Sequence, residues 1–322
     1  MQDLTRFRSE RPTLKEFPLD KNVGAWALYA IICAMRIIPM RLSWLLGILL
    51  GSLFALVYRT NTIPVNLALC FPNLSAAERR RLRRRYFRRL GQAFLNLGLA
   101  WKGSAAQVKR HVTLVGTEHL TGALEQGKGV ILLAPHVTGL ELGFKRLSLE
   151  WRTICMYRKP SDPMKHQLCR YLRTSHGGMC LERYESLKPL VGLIKQGTLF
   201  YYLPDQDPDH CGKDYVFAPF FEHPAATFTA MSRLARMSNA VVVPLFVYQR
   251  PYGGGYEVRL MPPLEQYPSG DDLADATALN QAIVDGIESM PDQYFWSYRR
   301  FKTQPEGAGS PYQAGEGAPV AW

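Results

Sequence analysis

The strongest constraint on the fold is an uncharged apolar stretch near the start of the chain. Residues 42–58 contain no charged side chain, and a second apolar run over residues 23–35 precedes them. As a helix at 1.5 Å per residue, the longer run spans about 26 Å, slightly less than a bilayer core. Trp44 and Tyr58 stand near its ends, where aromatic side chains favour a membrane interface. A buried core helix has a similar composition, but two adjacent runs favour a membrane anchor over residues 23–58, either a single span or a shallow hairpin.

A dense basic segment follows this anchor. Eight of the eleven residues 79–89 are arginine, and they carry eight of the twelve net positive charges of the chain. Ser75 and Glu78 have the spacing of a capping box, and apolar residues then recur at helical spacing, which predicts a helix over about 76–101. Because this helix lies next to an apolar anchor, we expect its arginines to contact lipid phosphates or an acidic protein rather than nucleic acid, for which no recognition motif is present. The arginines predicted to make this contact are Arg79, Arg80, Arg83 and Arg84.

From about residue 112 the pattern alternates between short apolar runs and amphipathic segments. This alternation predicts an α/β fold with a largely parallel, mixed sheet that is covered by helices. The predicted strands cover residues 129–135, 153–157, 198–203, 240–248 and 256–261. The predicted helices cover residues 163–174, 186–196, 225–237 and 272–290.

Composition divides the chain into four segments. They are a polar N-terminal segment (1–22), the apolar anchor (23–58), an α/β domain (59–302) and a loose tail rich in Gly, Pro and Ala (303–322). The cysteines form no Cys-x-x-Cys pair and have no zinc spacing, so we expect reduced thiols in a protein that faces the cytosol. They are Cys33, Cys70, Cys155, Cys169, Cys180 and Cys211.

The first candidate for chemistry lies directly after the predicted strand 129–135. His136 follows this strand, and Glu141 comes five residues later. Residues five apart in a helix point about 140° away from each other, so the pair meets only if His136 lies in the turn and Glu141 in the first helical turn. A carboxylate bonded to one imidazole nitrogen supports the cation that forms when the other nitrogen takes a proton. We therefore predict His136 as a general base and Glu141 as its partner.

A second polar cluster follows the strand 198–203. Paired acids such as Asp205 and Asp207 can hold a divalent metal, orient cationic groups or simply form a turn. Because no further ligand motif is present, we predict no metal site and no cofactor, with both aspartates orienting an arginine or the substrate. Arg158 follows another strand, and Arg170 and Arg173 stand one turn apart on the next helix, a set that suits phosphate recognition.

These features occur together with several longer motifs in a fixed order. The motifs are His-x4-Glu at 136–141, Tyr-Arg-Lys-Pro at 157–160, Asp-Gln-Asp at 205–207, Ala-Pro-Phe-Phe at 218–221, Ala-Ala-Thr at 225–227, Arg-Met-Ser-Asn-Ala-Val-Val-Val-Pro at 236–244 and Tyr-Phe-Trp-Ser-Tyr-Arg-Arg-Phe-Lys-Thr at 294–303. Over roughly residues 20–306 the set resembles the lauroyl/myristoyl (late) acyltransferases of bacterial lipid A biosynthesis. The sequence departs from that family at Glu222 and at Asp209-His210, where glycine is expected.

The resemblance implies an enzyme on the cytoplasmic face of the bacterial inner membrane. Its donor would be an acyl carrier protein, and its acceptor a hydroxyl of a phosphorylated, Kdo-bearing lipid A precursor. No covalent acyl-enzyme is implied, and Arg299 and Arg300 of the last motif would bind substrate. The alternatives are a glycerolipid or other glycolipid acyltransferase, a thioesterase that uses water as acceptor, and a catalytically silent protein that binds anionic membranes.

Overall fold

The structure is a computed structural model, and it describes residues 4–58, 60–183, 185–208 and 214–312. Helices and strands alternate over most of this part of the chain. The helices are α1 (Leu19–Met35), α2 (Met40–Val57), α3 (Thr62–Cys70), α4 (Ala76–Lys102), α5 (Ala105–His111), α6 (Thr117–Glu125), α7 (Leu140–Ser148), α8 (Pro163–Thr174), α9 (Lys188–Lys195), α10 (Ala230–Ser238) and α11 (Asp272–Ser289). The strands are β1 (Val112–Val115), β2 (Gly129–Leu133), β3 (Thr153–Tyr157), β4 (Met179–Glu182), β5 (Leu199–Tyr202), β6 (Tyr215–Phe220), β7 (His223–Phe228), β8 (Ala240–Gln249) and β9 (Tyr256–Leu260).

Seven strands form one mixed sheet in the order β1-β9-β8-β2-β5-β3-β4. The five strands from β8 to β4 run parallel, whereas β9 is antiparallel to β8 and β1 is parallel to β9. Every residue of β2 is buried, as expected for a central strand with helices on both faces of the sheet. The predicted α/β class with a largely parallel, mixed sheet is confirmed. The carboxyl ends of β2, β5, β3 and β4 lie at one edge, and the loops that follow them meet there.

The prediction of one helix over residues 225–237 is wrong. The first part of this range belongs to β7, which pairs with β6 in a separate antiparallel hairpin, and α10 begins only at Ala230. Phe221 and Glu222 form the turn of the hairpin, and Phe221 adopts a left-handed conformation with φ of 52°. The two alanines that favour a helix are fully buried in β7, so strand pairing and burial outweigh their local preference.

The basic helix is confirmed as α4, which begins one residue after Ser75. The Ser75 hydroxyl accepts a hydrogen bond from the backbone N–H of Glu78, and the Glu78 carboxylate accepts one from the backbone N–H of Ser75. Such a cap stabilises a helix by about 1 kcal/mol. The apolar helices α1 and α2 both pack against α4.

Both ends of the described chain pack on the domain. Phe7 is 2% exposed and lies in the main core, although it belongs to the polar N-terminal segment. Tyr312 is 6% exposed and accepts a hydrogen bond from the backbone N–H of Phe301. Residues 303–312 of the predicted loose tail are therefore fixed by at least one buried side chain, while residues 313–322 lie outside the described part of the chain.

Candidate active site

The loop after β2 is held on both sides by backbone hydrogen bonds. The N–H of Ala134 donates to the carbonyl of Tyr202 at 3.0 Å, which joins the loop to the end of β5. On the other side, the carbonyl of His136 accepts from the N–H of Phe295 at 2.9 Å, and the N–H of Thr138 donates to the carbonyl of Gln293 at 2.9 Å. These bonds fix the direction of the His136 side chain.

The carboxylate that contacts His136 is that of Asp205, from the loop after the neighbouring strand β5. His136 Nδ1 lies 2.6 Å from Asp205 Oδ1, and the backbone N–H of His136 donates to Asp205 Oδ2 at 2.8 Å. The Asp205 side chain is 1% exposed, whereas that of His136 is 24% exposed. One carboxylate therefore fixes both the backbone and the ring of the histidine, and the outer part of the ring faces solvent.

The ionisation of Asp205 sets the tautomer of His136. Burial acts to raise the pKa of Asp205, but the neighbouring His136 and its two hydrogen bonds outweigh burial and hold this pKa below its ordinary value. An ionised carboxylate only accepts hydrogen bonds, so the proton of the neutral imidazole is on Nδ1. Nε2 then carries a lone pair, and Gln206 Nε2 lies 3.2 Å from it.

The predicted pairing of His136 with Glu141 is wrong. Glu141 does lie in the first turn of α7, as the spacing requires, but its carboxylate forms an ion pair with Arg173 of α8. It also accepts a hydrogen bond from Trp101 Nε1 at 2.9 Å. Burial acts to raise the pKa of Glu141, but the charge and hydrogen bonds of Arg173 and the bond from Trp101 hold it below its ordinary value. The carboxylate is thus ionised, and side chains of α4 and α8 bind it.

A cavity of about 990 Å³ opens beside His136 at the carboxyl edge of the sheet. Its wall combines apolar and aromatic groups with cationic residues and with three acidic ones, Glu141, Glu185 and Asp214. The apolar and aromatic residues include Leu140, Phe144, Met156, Tyr201, Leu203 and Phe228. The cationic residues are Arg158, Arg173, Arg183 and Arg233. Such a wall suits a ligand with a long apolar part and an anionic part.

Of the predicted phosphate-binding arginines, two line this cavity and one does not. Arg158 is exposed at the wall, and Arg173 lies in the wall with its guanidinium bound to Glu141. Arg170 instead donates to the backbone carbonyls of Arg6 and Arg8, at 2.6 and 3.2 Å. Arg170 therefore fixes the N-terminal segment against α8.

Asp207, Arg299 and Arg300 are not among the residues that line the cavity. Asp207 is 2% exposed and accepts from the backbone N–H and the hydroxyl of Thr303, at 2.8 and 2.7 Å. Arg300 is also 2% exposed and donates to the carbonyl of Ala226 at 2.6 Å. Their predicted contact with substrate is replaced by a structural role, because these bonds hold the C-terminal segment on the domain. Exposed Arg299 lies over the ring of Tyr312.

The sequence reasoning missed five polar residues of the cavity wall: Gln206, Arg183, Arg233 and the acidic Glu185 and Asp214. Gln206 was inside a recognised motif, and Arg183 follows β4, so position after a strand was an available signal for both. Arg233 is on α10 and donates to Asp214 at 2.9 Å, and no local pattern marks it. The motif positions Asp209 and His210 lie outside the described residues.

The arginines predicted to contact lipid or a carrier protein divide into two groups. Arg79 donates to the carbonyl of Leu74 at 2.5 Å, and Arg83 donates to the carbonyl of Tyr58 at 3.2 Å. Arg80 and Arg84 are exposed on α4. The first group fixes neighbouring loops, and the second is available for an external anion.

The structure is an α/β fold with a mostly parallel sheet, and a histidine–carboxylate pair lies beside a large cavity at the carboxyl edge of that sheet. The family model for bacterial lipid A biosynthesis acyltransferases matches residues 12–303, and the chain belongs to this family. The chain is 32% identical over 291 residues to the lipid A biosynthesis lauroyltransferase of Escherichia coli K12, covering 89% of this chain and 94% of the relative. It is 33% identical over 251 residues to the palmitoleoyltransferase of the same organism, covering 77% and 80%. It is 26% identical over 312 residues to the myristoyltransferase, covering 95% of each chain. The resemblance given by the sequence motifs is thereby confirmed.

Proposed function

We propose that this protein transfers a fatty acyl chain from an acyl carrier protein thioester to a hydroxyl of a lipid A precursor, at the cytoplasmic face of the bacterial inner membrane. The observation that carries the proposal is the His136–Asp205 pair: His136 lines the amphiphilic cavity, and its second nitrogen, Nε2, contacts Gln206 at 3.2 Å. Family membership supports the reaction class and the acceptor. The donor is the one that the family resemblance implies, and the excess of basic over acidic residues in the chain suits an acidic carrier protein.

His136 acts as the general base. Nε2 removes the proton of the acceptor hydroxyl while the oxygen attacks the thioester carbonyl, and Asp205 stabilises the imidazolium that forms. When the tetrahedral intermediate collapses, the carbon–sulfur bond breaks and Nε2–H returns the proton to the leaving thiolate. The acyl group passes directly to the acceptor, so no acyl-enzyme forms.

The developing negative charge on the carbonyl oxygen needs a donor near the reacting atoms. Gln206 serves this task once the acceptor hydroxyl has displaced its amide from His136 Nε2, which its side-chain nitrogen contacts at 3.2 Å. A preorganised donor of this kind contributes about 2.7–4 kcal/mol in enzymes where one has been removed. Arg158 and Arg183 also line the cavity and suit the phosphates of the acceptor.

The Glu141–Arg173 ion pair has a supporting role in this mechanism. It joins α7, which directly follows the His136 loop, to α8, and Trp101 adds a contact from α4. The side chains of Arg173 and Glu141 are 21% and 15% exposed, so removing one partner should cost less than the roughly 3–5 kcal/mol of a fully buried pair while still leaving the other charge unpaired. Loss of activity on changing Glu141 is therefore expected to accompany loss of stability.

The test is transfer from radiolabelled acyl carrier protein to a purified lipid A precursor, followed by separation of acylated lipid and free fatty acid. His136→Ala is expected to lower transfer by about 10²–10⁴, while its matched control, His119→Ala, at a half-buried position on α6 that does not line the cavity, keeps full activity. Near wild-type transfer by His136→Ala would refute the proposed base. Release of free fatty acid without an acylated lipid would indicate a thioesterase. Acylation of a glycerolipid alone would indicate a glycerolipid acyltransferase. Lipid binding without turnover would indicate a catalytically silent lipid-binding protein.

A further inference from the structure

The apolar helix α2 is bound along its length to α4. Near its start, the hydroxyl of Ser43 donates to Asn96 Oδ1 at 2.8 Å. In its middle, a Cβ added at Gly47 would lie 2.5 Å from a side-chain carbon of Gln92, and near its end a Cβ at Gly51 would clash with the carbonyl of Phe87. The absence of side chains at these glycines lets the two helix backbones approach closely, and the contacts advance in opposite directions along α2 and α4.

The part of α4 that holds α2 is in turn joined to the sheet. Asn96 Nδ2 donates to the hydroxyl of Tyr256 on β9 at 2.8 Å. Gln249 Nε2, on β8, donates to Gln92 Oε1 at 2.6 Å. Arg89 forms an ion pair with Asp292 at 3.2 Å. This segment of α4 is therefore an integral part of the globular domain and does not separate from it without breaking buried polar contacts.

These contacts are incompatible with a transmembrane position for α2. Met40–Val57 is long and apolar enough to cross a membrane, with a mean hydropathy of 1.9. If it crossed, however, the adjacent stretch of α4 would enter the hydrocarbon together with the side chains of Arg88 and Arg89. Charged groups in the bilayer core are costly. Helix α2 could cross without carrying these arginines only if it separated from α4.

The opposite face of α2 is apolar and exposed. Its exposed large side chains are Leu42, Leu45, Leu46, Leu49, Leu53, Leu56 and Val57, at 39–74% exposure. Helix α1 also has exposed apolar side chains, Val23, Leu28 and Ile31, and exposed Ile37 lies in the connection between the two helices. An exposed apolar surface of this size marks an interaction site.

Charge next to this surface identifies its partner. The hydrogen bond from Arg83 to the carbonyl of Tyr58 places the basic segment of α4 beside the C-terminal end of α2. Five arginines of that segment are exposed: Arg80, Arg81, Arg84, Arg85 and Arg88. Leucines beside a group of exposed arginines match the acyl chains and phosphates of an anionic bilayer surface.

From this arrangement we infer that α1 and α2 are interfacial membrane helices. Helix α2 lies parallel to the bilayer surface and does not cross the bilayer. The inference deepens the membrane partnership of the proposed function and rests on it. Both ends of α2 then stay on the cytoplasmic side. The hydrogen bonds from α4 to β8 and β9 fix the sheet, and hence the His136 cavity, relative to the lipid surface.

The experiment measures depth at three positions on the exposed face of α2. A genetically encoded nitroxide residue replaces Leu42, Leu49 or Leu56 in the full-length protein, which is bound to vesicles of zwitterionic and anionic phospholipid. These positions are seven residues apart and share one face, so an in-plane helix gives three equal depths of about 5–10 Å below the headgroups. Acyl transfer is assayed on the same labelled proteins. The assay tests the proposed function, and the depth measurement separately tests the interfacial position of α2.

Two outcomes would overturn the inference. A spanning helix moves the label by about 21 Å along the bilayer normal between residues 42 and 56, so Leu49 alone would be deep. Labels that remain in water, or that show spin–spin broadening from a second copy, would show that lipid does not cover this face.

As a further check, replacing the five exposed arginines with glutamine is expected to weaken binding to anionic vesicles at least about tenfold at low salt. Replacing Lys128, Lys188 and Lys195 with glutamine is not expected to weaken this binding to that extent. Equal binding of both variants to the vesicles would show that the exposed arginines of α4 do not bind an anionic bilayer surface.

Discussion

Asp205 and Asp207 stand two residues apart in one loop and have different tasks, because their carboxylates meet different partners. Asp205 accepts from the ring and backbone of His136, whereas Asp207 accepts from Thr303. Asp205→Asn replaces an acceptor-only group with an amide that also stabilises the wrong tautomer of His136. We expect turnover to fall by about 10²–10⁴ with thermal stability largely kept.

Asp207→Asn is the matched control for this prediction. It weakens the bonds to Thr303, so we expect a loss of about 1–3 kcal/mol of unfolding free energy and an unchanged turnover per folded molecule. Steady-state kinetics and thermal unfolding in detergent separate the two effects. Equal losses of turnover in both variants would contradict the assignment of Asp205 to His136.

Lys145 provides a pH-dependent prediction. It is 4% exposed, and Nζ has no hydrogen-bond partner among the described residues. Burial, together with the charge of Lys102, lowers the pKa of Lys145 to about 7. Between this pH and the ordinary lysine pKa of about 10.4, the unfolded chain binds more protons than the folded protein, so stability rises with pH. Lys145→Met should therefore stabilise the protein, and more at pH 6.5 than at pH 9.5.

The measurement is the melting temperature in detergent at both pH values. We expect the gain in unfolding free energy to be larger at pH 6.5 by roughly 1–3 kcal/mol. Lys195→Met, at an exposed position on α9, is the control and should give no such difference. A gain that is equal at the two pH values would show that Lys145 stays charged in the folded state.

At this scale, the sequence located the reacting groups but not their pairing. His136 and Asp205 both follow strands, which is visible in the sequence. Their contact depends on β2 and β5 being neighbours in the sheet, a long-range feature that no local pattern records. The spacing placed Glu141 correctly in the first turn of α7, but Arg173 and Trp101, which take up its carboxylate, come from other helices.

At the scale of elements, the interface between α2 and α4 depends on glycine. Gly51→Leu introduces a side chain where even a Cβ clashes with the backbone of Phe87, whereas a Cβ added at Gly24 on α1 meets nothing within 4 Å. We expect Gly51→Leu to lower the unfolding free energy by about 1–3 kcal/mol or more, because overpacking outweighs the better helix propensity of leucine. Gly24→Leu should be neutral or stabilising.

Thermal unfolding in detergent and acyl transfer on both variants test this prediction. If α2 separates from α4 to cross a bilayer, Gly51→Leu and Gly24→Leu should have the same acyl-transfer activity in membranes. An unchanged melting temperature for Gly51→Leu would mean that the helices are not in contact.

Elements with local signals were predicted best. The capping box marked the start of α4, and residues 163–174 and 153–157 coincide with α8 and β3. The strand β7 was missed because its alanines have no preference for a strand, and only pairing with β6 explains its conformation. Gly47 and Gly51 are spaced like a helix-packing pattern, but their spacing does not identify the partner, which is the arginine-rich helix α4.

At the scale of the whole molecule, the parallel sheet gathers residues from distant segments at one edge. Loops after β2, β5, β3 and β4 contribute His136, Asp205, Arg158 and Arg183 to one region. The α/β alternation predicted the edge, because chemistry in such sheets lies beyond the carboxyl ends of the strands. The volume and lining of the cavity depend on side chains from α7, α8 and α10 and were not predictable from local sequence.

The last prediction concerns metal ions. Two acids in one loop suggest a metal-assisted mechanism, with His210, outside the described residues, as a further ligand. Both Asp205 oxygens, however, bind His136, and both Asp207 oxygens bind Thr303. A thiolate is also a good leaving group that needs little electrophilic help. We therefore expect exhaustive treatment with a strong chelator to leave acyl transfer within a factor of about two, far less than the several kcal/mol that a Lewis acid supplies.

The control for chelation is the same preparation dialysed without chelator and then given each divalent ion in turn. If the mechanism rests on His136 and Asp205, no ion should raise the rate of the treated enzyme above that of the control. A collapse of activity that one ion reverses would assign Asp205 and Asp207 to a metal site. In that case Asp205 would have to release His136 to bind the ion, and Asp207→Asn would abolish turnover instead of lowering stability.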